Sequence, residues 1–150
     1  MGLNEIKLIV VEDPSRTGDY RPVDIVIDGK RLIDVLKDIE TPYADEEGSP
    51  QIAGQYHSLS INATLLPCQH FLGAPLPILA HDDKTAILIC TCGCEGCWDF
   101  VCRMTFTENT VTWSDFEQVH RDWNYSKLGT FIFDRKSYDE QFMQLLPDSN

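Results

Sequence analysis

The segment CTCGCEGCW, residues 90–98, places Cys90, Cys92, Cys94 and Cys97 within eight positions. Thiols at this spacing could hold a metal, run disulfide exchange or act as nucleophiles, and each chemistry makes a demand that the neighbouring residues can be asked to meet. Cys94-Glu95-Gly96-Cys97 is a C-x-x-C knuckle, which supplies half of a structural zinc site. The other half has no clean counterpart: Cys68-Gln69-His70 lies well upstream, and Cys90 and Cys92 belong to the adjoining strand. Redox use of C-x-x-C wants a helix N-terminus to lower the first thiol's pKa, but the residues after Cys97 alternate as a strand does. Nucleophilic use wants a histidine base; His57, His70, His81 and His120 are present, and no spacing selects one. The favoured reading is therefore reduced, metal-free thiols that pack as small apolar side chains. Zinc held by Cys90, Cys92, Cys94 and Cys97 is the alternative.

A second cluster is SDFEQVHRDWNYSKLGTF, residues 114–131, too irregular for a regular helix or strand. Phe116, His120, Arg121, Trp123 and Tyr125 would suit a protein-binding surface, because aromatic residues and arginine dominate binding hot spots. The plainer reading is a long loop folded over a sheet with its aromatics buried. Acidic residues are plentiful, yet no spacing isolates two of them as an acid–base pair. Neither G-x-G-x-x-G nor a P-loop occurs, so no phosphate-cradling loop is expected. Nothing here names an enzymatic activity.

The elements that must position these residues follow from periodicity. Ile6 to Val11 reads as a strand. Val23, Ile25 and Ile27 alternate with polar neighbours as a second, and Asp28-Gly29 forms a turn. Leu32, Val35, Leu36 and Ile39 fall at helical spacing, so Lys30 to Ile39 is a short helix that Pro42 stops. Residues 41–81, with Pro42, Pro50, Pro67, Pro75 and Pro77, are expected to form an extended, loop-rich crossing. Thr85 to Cys92, Trp98 to Thr107 and Thr110 to Asp115 read as consecutive antiparallel strands. Glu108-Asn109 turns the second hairpin and sets Phe106 opposite Val111 and Met104 opposite Trp113, with Trp98 on the same apolar face. A first hairpin closed by residues 93–97 would set Cys92 against Trp98, Cys90 against Phe100 and Leu88 against Cys102. Phe131 to Phe133 is a last strand. Asp134 caps a helix carrying Tyr138, Phe142, Leu145 and Leu146 on one stripe, and Pro147 ends it. The expected fold is a single α+β domain over residues 1–150, an antiparallel sheet with two flanking helices.

The chain of 150 residues suits one domain, and its 43% hydrophobic content suits a folded core. Net charge is −12, and residues 1–75 and 76–150 each carry 6 basic and 12 acidic side chains. So evenly acidic a surface disfavours nucleic acid and anionic membranes; its plainer and favoured reading is a solvated surface that keeps the chain soluble, and a basic protein partner is the alternative. The opening MGLNEIKLIVVED has an apolar run too short for a signal peptide or membrane span. A cytoplasmic protein with reduced thiols is expected.

The second half resembles a family of small uncharacterised bacterial proteins of unassigned function. The resemblance rests on Cys90-Thr91-Cys92-Gly93 with Gly96-Cys97-Trp98, then Val111-Thr112-Trp113-Ser114-Asp115-Phe116, His120-Arg121, and Phe133-Asp134-Arg135 with Tyr138. It covers about residues 85–146 and implies a fold but no activity. The shared pattern includes Cys90, Cys92 and Cys97 and omits Cys94 and Cys102. It thereby weakens the Cys94–Cys97 knuckle, leaving three thiols that would need a fourth ligand. The reading of the whole is an acidic interaction or regulatory module, immunity-like in character, with no enzymatic activity assigned. A small zinc protein whose cysteines brace the 85–107 hairpin is the alternative.

Overall fold

The computed structural model describes residues 3–11, 21–90, 99–119 and 121–144. It is an α+β fold whose strands are mostly antiparallel. Strand β1 (Ile6–Val10) pairs with β2 (Val23–Ile27), which turns through Asp28 and Gly29 into the two-residue β3 (Lys30–Arg31). Both turn residues have positive φ, 54° and 82°, as a type I′ hairpin turn demands. The pairing of Lys30 and Arg31 holds the helix start back to Leu32. Helix α1 then spans Leu32–Glu46.

That helix runs through Pro42 where a stop was expected. Proline removes one backbone donor and crowds the preceding turn, so something outside the helix must hold its second half. Glu40 and Ala44 are fully buried, continuing the stripe begun by Leu32 and Leu36 at four-residue intervals. Packing on that stripe outweighs the local preference to stop.

The crossing over residues 41–81 is more structured than its prolines suggest. It carries β4 (Tyr56–Ser58), the single-turn helix α2 (Ile61–Thr64) and three 3₁₀ turns, then leads through β5 (Ala80–His81) into β6 (Lys84–Cys90). Strands β7 (Phe100–Phe106), β8 (Thr110–Gln118) and β9 (Phe131–Asp134) complete a six-stranded sheet ordered β4-β6-β7-β8-β9, with β5 beside β6. Helix α3 (Arg135–Phe142) follows, its N-cap Asp134 accepting from the Ser137 amide. Leu145, Leu146 and Pro147 lie outside the described residues.

The two sheets meet at both ends. Asn4 makes a parallel bridge to Phe133, and Pro22 an antiparallel bridge to Ser60 just beyond β4. The Val23 amide donates to Leu59 O at 2.9 Å and the Ile61 amide to Arg21 O at 2.8 Å. The hydrogen-bonded path therefore runs β1, β2, β4, β6, β7, β8, β9 and back to β1, so few strand edges stay open to another chain.

The β7–β8 register is as the alternation implied: Phe106 faces Val111 and Met104 faces Trp113. Trp113 is fully buried, while Met104 and Phe106 are half-buried against the core. The β6–β7 register differs. Phe100 lies opposite Leu88 and Cys102 opposite Thr85, with a bulge between Ala86 and Leu88. Phe100 is therefore not opposite Cys90, whose described partner is Tyr56 on the other neighbouring strand, β4. The offset of two residues near Phe100 keeps the same face, and the bulge then breaks the phase. The expected partners Cys92 and Trp98 lie outside the described residues.

Strand β8 also runs past its expected end at Asp115. A second bulge shifts the register between Val101 and Arg103, and Asp115 takes a left-handed φ of 53°, a conformation aspartate tolerates better than most residues. The extra residue flips the alternation. Val111 and Trp113 face inward before it; Phe116 and Gln118 do so after it. Described residues contain no helix long and apolar enough to cross a membrane.

The centre of the core is aromatic. Trp113 packs among Phe71, Phe133, Tyr138 and Phe142 at ring separations of 5.2–6.5 Å. Its Nε1 donates to the Tyr138 hydroxyl, which donates to Phe71 O at 2.6 Å. Trp113→Ala should cost about 3–5 kcal/mol of unfolding free energy, whereas Ile132→Ala, on the exposed face of β9, should stay within about 0.5 kcal/mol. Urea denaturation of both variants checks the inward–outward assignment.

Candidate functional site

Four turns of helix separate Leu32 from the end of α1, and the last two do the positioning. Glu40, Tyr43 and Glu47 lie at i, i+3 and i+7, one stripe on the helix surface. Each holds part of the segment after β8. Tyr43 stacks on Trp123 with ring centroids 5.8 Å apart, and its hydroxyl donates to Asn124 O. Glu47 accepts from Trp123 Nε1 at 2.8 Å and pairs with Arg121 at 3.5 Å. Arg121 also lies over the Trp123 ring, 5.7 Å from its centroid.

Glu40 makes the deepest contact. Its side chain has no exposure to solvent. Oε2 accepts from the hydroxyls of Tyr56 and Tyr125, each at 2.5 Å, and Oε1 accepts from the Gly54 amide at 2.8 Å. Gly54 is required here: its φ is 70°, and a Cβ on it would lie 2.7 Å from Lys37 Cβ. Burial raises the Glu40 carboxyl above the ordinary glutamate range, with the bonds from Tyr125, Tyr56 and Gly54 opposing it. Both tyrosines are pushed well above their usual range, by burial first and by the neighbouring carboxylate.

Of the aromatic cluster expected to meet a partner, Phe116, Trp123 and Tyr125 line one groove with Asp115, Asn124 and Ser126. Its volume is about 480 Å³. Phe116 reaches it because the Asp115 bulge turns it inward, where it stacks on Phe100 at 5.9 Å and meets Phe131 edge-on. Tyr125 is buried, as the reading of a loop folded over the sheet expects and not as a freely exposed binding surface would require, and Trp123 and Arg121 are half-buried. The cluster is thus both a packed lid and a groove wall. His120 lies outside the described residues.

The cysteine chemistry falls mostly outside the described residues: Cys92, Cys94 and Cys97 lie there, and of Cys90 the backbone pairing alone is described. Among the described residues no group of three His, Cys, Asp or Glu side chains is placed to hold a metal. Cys102 is fully buried, which raises its thiol well above the usual range and makes it unreactive. His70, a candidate base on sequence, is buried with both ring nitrogens engaged, Nδ1 accepting from the Leu76 amide and Nε2 bonding Ala86 O. Its role is structural. His81 Nε2 bonds the buried carboxylate of Asp99 at 2.8 Å.

Compared with known protein families, with functionally described proteins and with solved structures, the chain has no match. The functional reading rests on its own geometry.

A pH test follows from the buried carboxyl. The unfolded chain's glutamate titrates near about 4.3, and the folded value is higher. The stabilisation linked to that shift is therefore full below the unfolded value and is lost as pH rises through the folded one. Asp28 runs the other way, lowered by the Glu5 amide and Asn4, so its contribution is lost on acidification. Urea denaturation of the native chain and of Glu40→Gln isolates the Glu40 part. The native chain's advantage over the variant should shrink as pH rises above the unfolded glutamate's range and level off once the folded-state carboxyl has ionised.

Proposed function

We propose that the protein is a non-enzymatic interaction module that receives a basic segment of a partner protein in the groove bounded by Asp115, Phe116, Trp123 and Tyr125. The observation that carries this reading is the convergence of those side chains on one groove of about 480 Å³. They come from both sides of a loop that could have scattered them. Aromatic edges and faces beside a carboxylate suit the ammonium or guanidinium of lysine or arginine. Asp115 is well exposed, and its partner Arg103 is shared with Asp83. The net charge of −12 would draw a basic partner from a distance and set the encounter rate. An immunity or regulatory protein works in this way, by occupying a charged surface of its target.

The test uses a synthetic lysine-rich peptide and the intrinsic tryptophan fluorescence. Binding should weaken steeply as salt rises from about 0.05 to 0.5 M, because exposed charges are then screened. Ser126→Arg puts a like charge at the exposed wall of the groove and leaves the packing untouched. It should weaken the peptide at least about tenfold, a difference of ~1.4 kcal/mol, with the melting temperature unchanged. Absence of binding at low salt, or equal affinity of Ser126→Arg, would refute the reading.

A further inference from the structure

Glu40 does not line the groove, yet it touches what does. Its Oε2 holds the hydroxyl of Tyr125, a groove residue, and the same oxygen holds Tyr56, which packs beside Tyr125 on Phe100 and lines a different cleft. Three chain segments therefore meet on one carboxylate: β4 through Tyr56, the turn before β4 through Gly54, and the groove loop through Tyr125. The loop has little else of its own. Within it the Leu128 amide bonds Tyr125 O at 2.9 Å, the Gly129 amide bonds Ser126 O at 3.1 Å, and Ser126 N bonds Asn124 Oδ1. These are short-range turns that fix local shape. The loop's place is held by Tyr125 on Glu40, by Trp123 and Arg121 on Glu47, by Asn124 O on the Tyr43 hydroxyl and by the buried Leu128. Of these, Tyr125 alone reaches a fully buried polar anchor.

We infer that Glu40 is the positioning residue of the groove: by fixing the Tyr125 hydroxyl from behind, it sets where the loop 121–130 stands against Phe116. The consequence for peptide binding rests on the function proposed above; the positioning itself does not. A buried carboxylate that accepts three hydrogen bonds fixes its donors in direction as well as distance. The two tyrosines share one oxygen and one ring partner, Phe100, so Tyr56 braces Tyr125. A change at Tyr56, which does not itself line the groove, should then be felt in the loop.

The experiment is amide hydrogen exchange by NMR on the full chain, comparing the native protein with Glu40→Gln and Tyr56→Phe. If Glu40 positions the groove, both variants speed exchange at Leu128 and Gly129 at least about tenfold, while amides of the β7–β8 ladder change far less, as local opening requires. A merely structural role would raise exchange at all these amides by a common factor, since all would then open through global unfolding. That result, or unchanged exchange at Leu128 and Gly129 in both variants, would overturn the inference. Tyr56→Phe keeps the test available should Glu40→Gln fail to fold. The lysine-rich peptide serves as a second readout. If it binds the native chain, its affinity should fall at least about tenfold in Glu40→Gln. If the loop loosens as expected but the native chain binds no peptide, the proposed function fails and the positioning role stands.

Discussion

A carboxylate with no access to water is the constraint on which the rest of this structure depends. An isolated ionised group in an apolar interior costs far more than a domain's net stability, so it persists only when its oxygens are fully engaged. Glu40 meets that condition with three donors, from the turn before β4, from β4 and from the groove loop, none of them charged. Each donor restricts something larger. Gly54 must adopt a left-handed backbone and come close to α1, Tyr56 must sit in β4 at the sheet edge, and Tyr125 must turn inward from its loop. The same requirement explains why α1 continues past Pro42: Ala44, Tyr43 and Glu47 can reach their partners only if the helix does.

Closure of the strand path distributes the remaining work. With β1 joined to β9 through Asn4, and β2 joined to the end of β4 through Ser60, the aromatic cluster around Trp113 is enclosed by strands and by α3. Two bulges, one in the β6–β7 pairing and one in the β7–β8 pairing, shift the register within that path. A bulge bends a strand and re-aims the side chains beyond it. At Asp115 that re-aiming delivers Phe116 to Phe100 and opens the groove beside it. Fold and groove thus share one local device.

Much of the scaffold was legible from residue order because it is written in short-range terms. The Asp28-Gly29 turn, the Phe106–Val111 and Met104–Trp113 pairs and the Asp134 cap all follow from neighbours or near neighbours. What was not legible depends on distant partners. Pro42 looks like a stop until burial of Ala44 is known. The strand Tyr56-His57-Ser58 is too short to show a period, and the β8 bulge makes a nine-residue strand look like a shorter one followed by disorder in the pattern. Glu40 is one of 24 acidic residues, and nothing local marks it; its position four residues after Leu36 on the apolar stripe was the one available signal. Of the aromatic cluster, the plainer reading of a loop folded over the sheet fits Tyr125, but its anchor was not legible, since the carboxylate that engages it from below is far away in sequence.

The account is tested most directly by looking for the hydroxyl protons of Tyr56 and Tyr125 in the proton NMR spectrum at neutral pH. Hydroxyls bonded at 2.5 Å to a fully buried carboxylate should exchange slowly with water, resonate well downfield, and show cross-relaxation to the Glu40 side chain. Two such resonances, both lost in Glu40→Gln, are what this structure predicts. Tyrosine hydroxyls that exchange too fast to be seen, in a native chain that is otherwise fully folded, would contradict it.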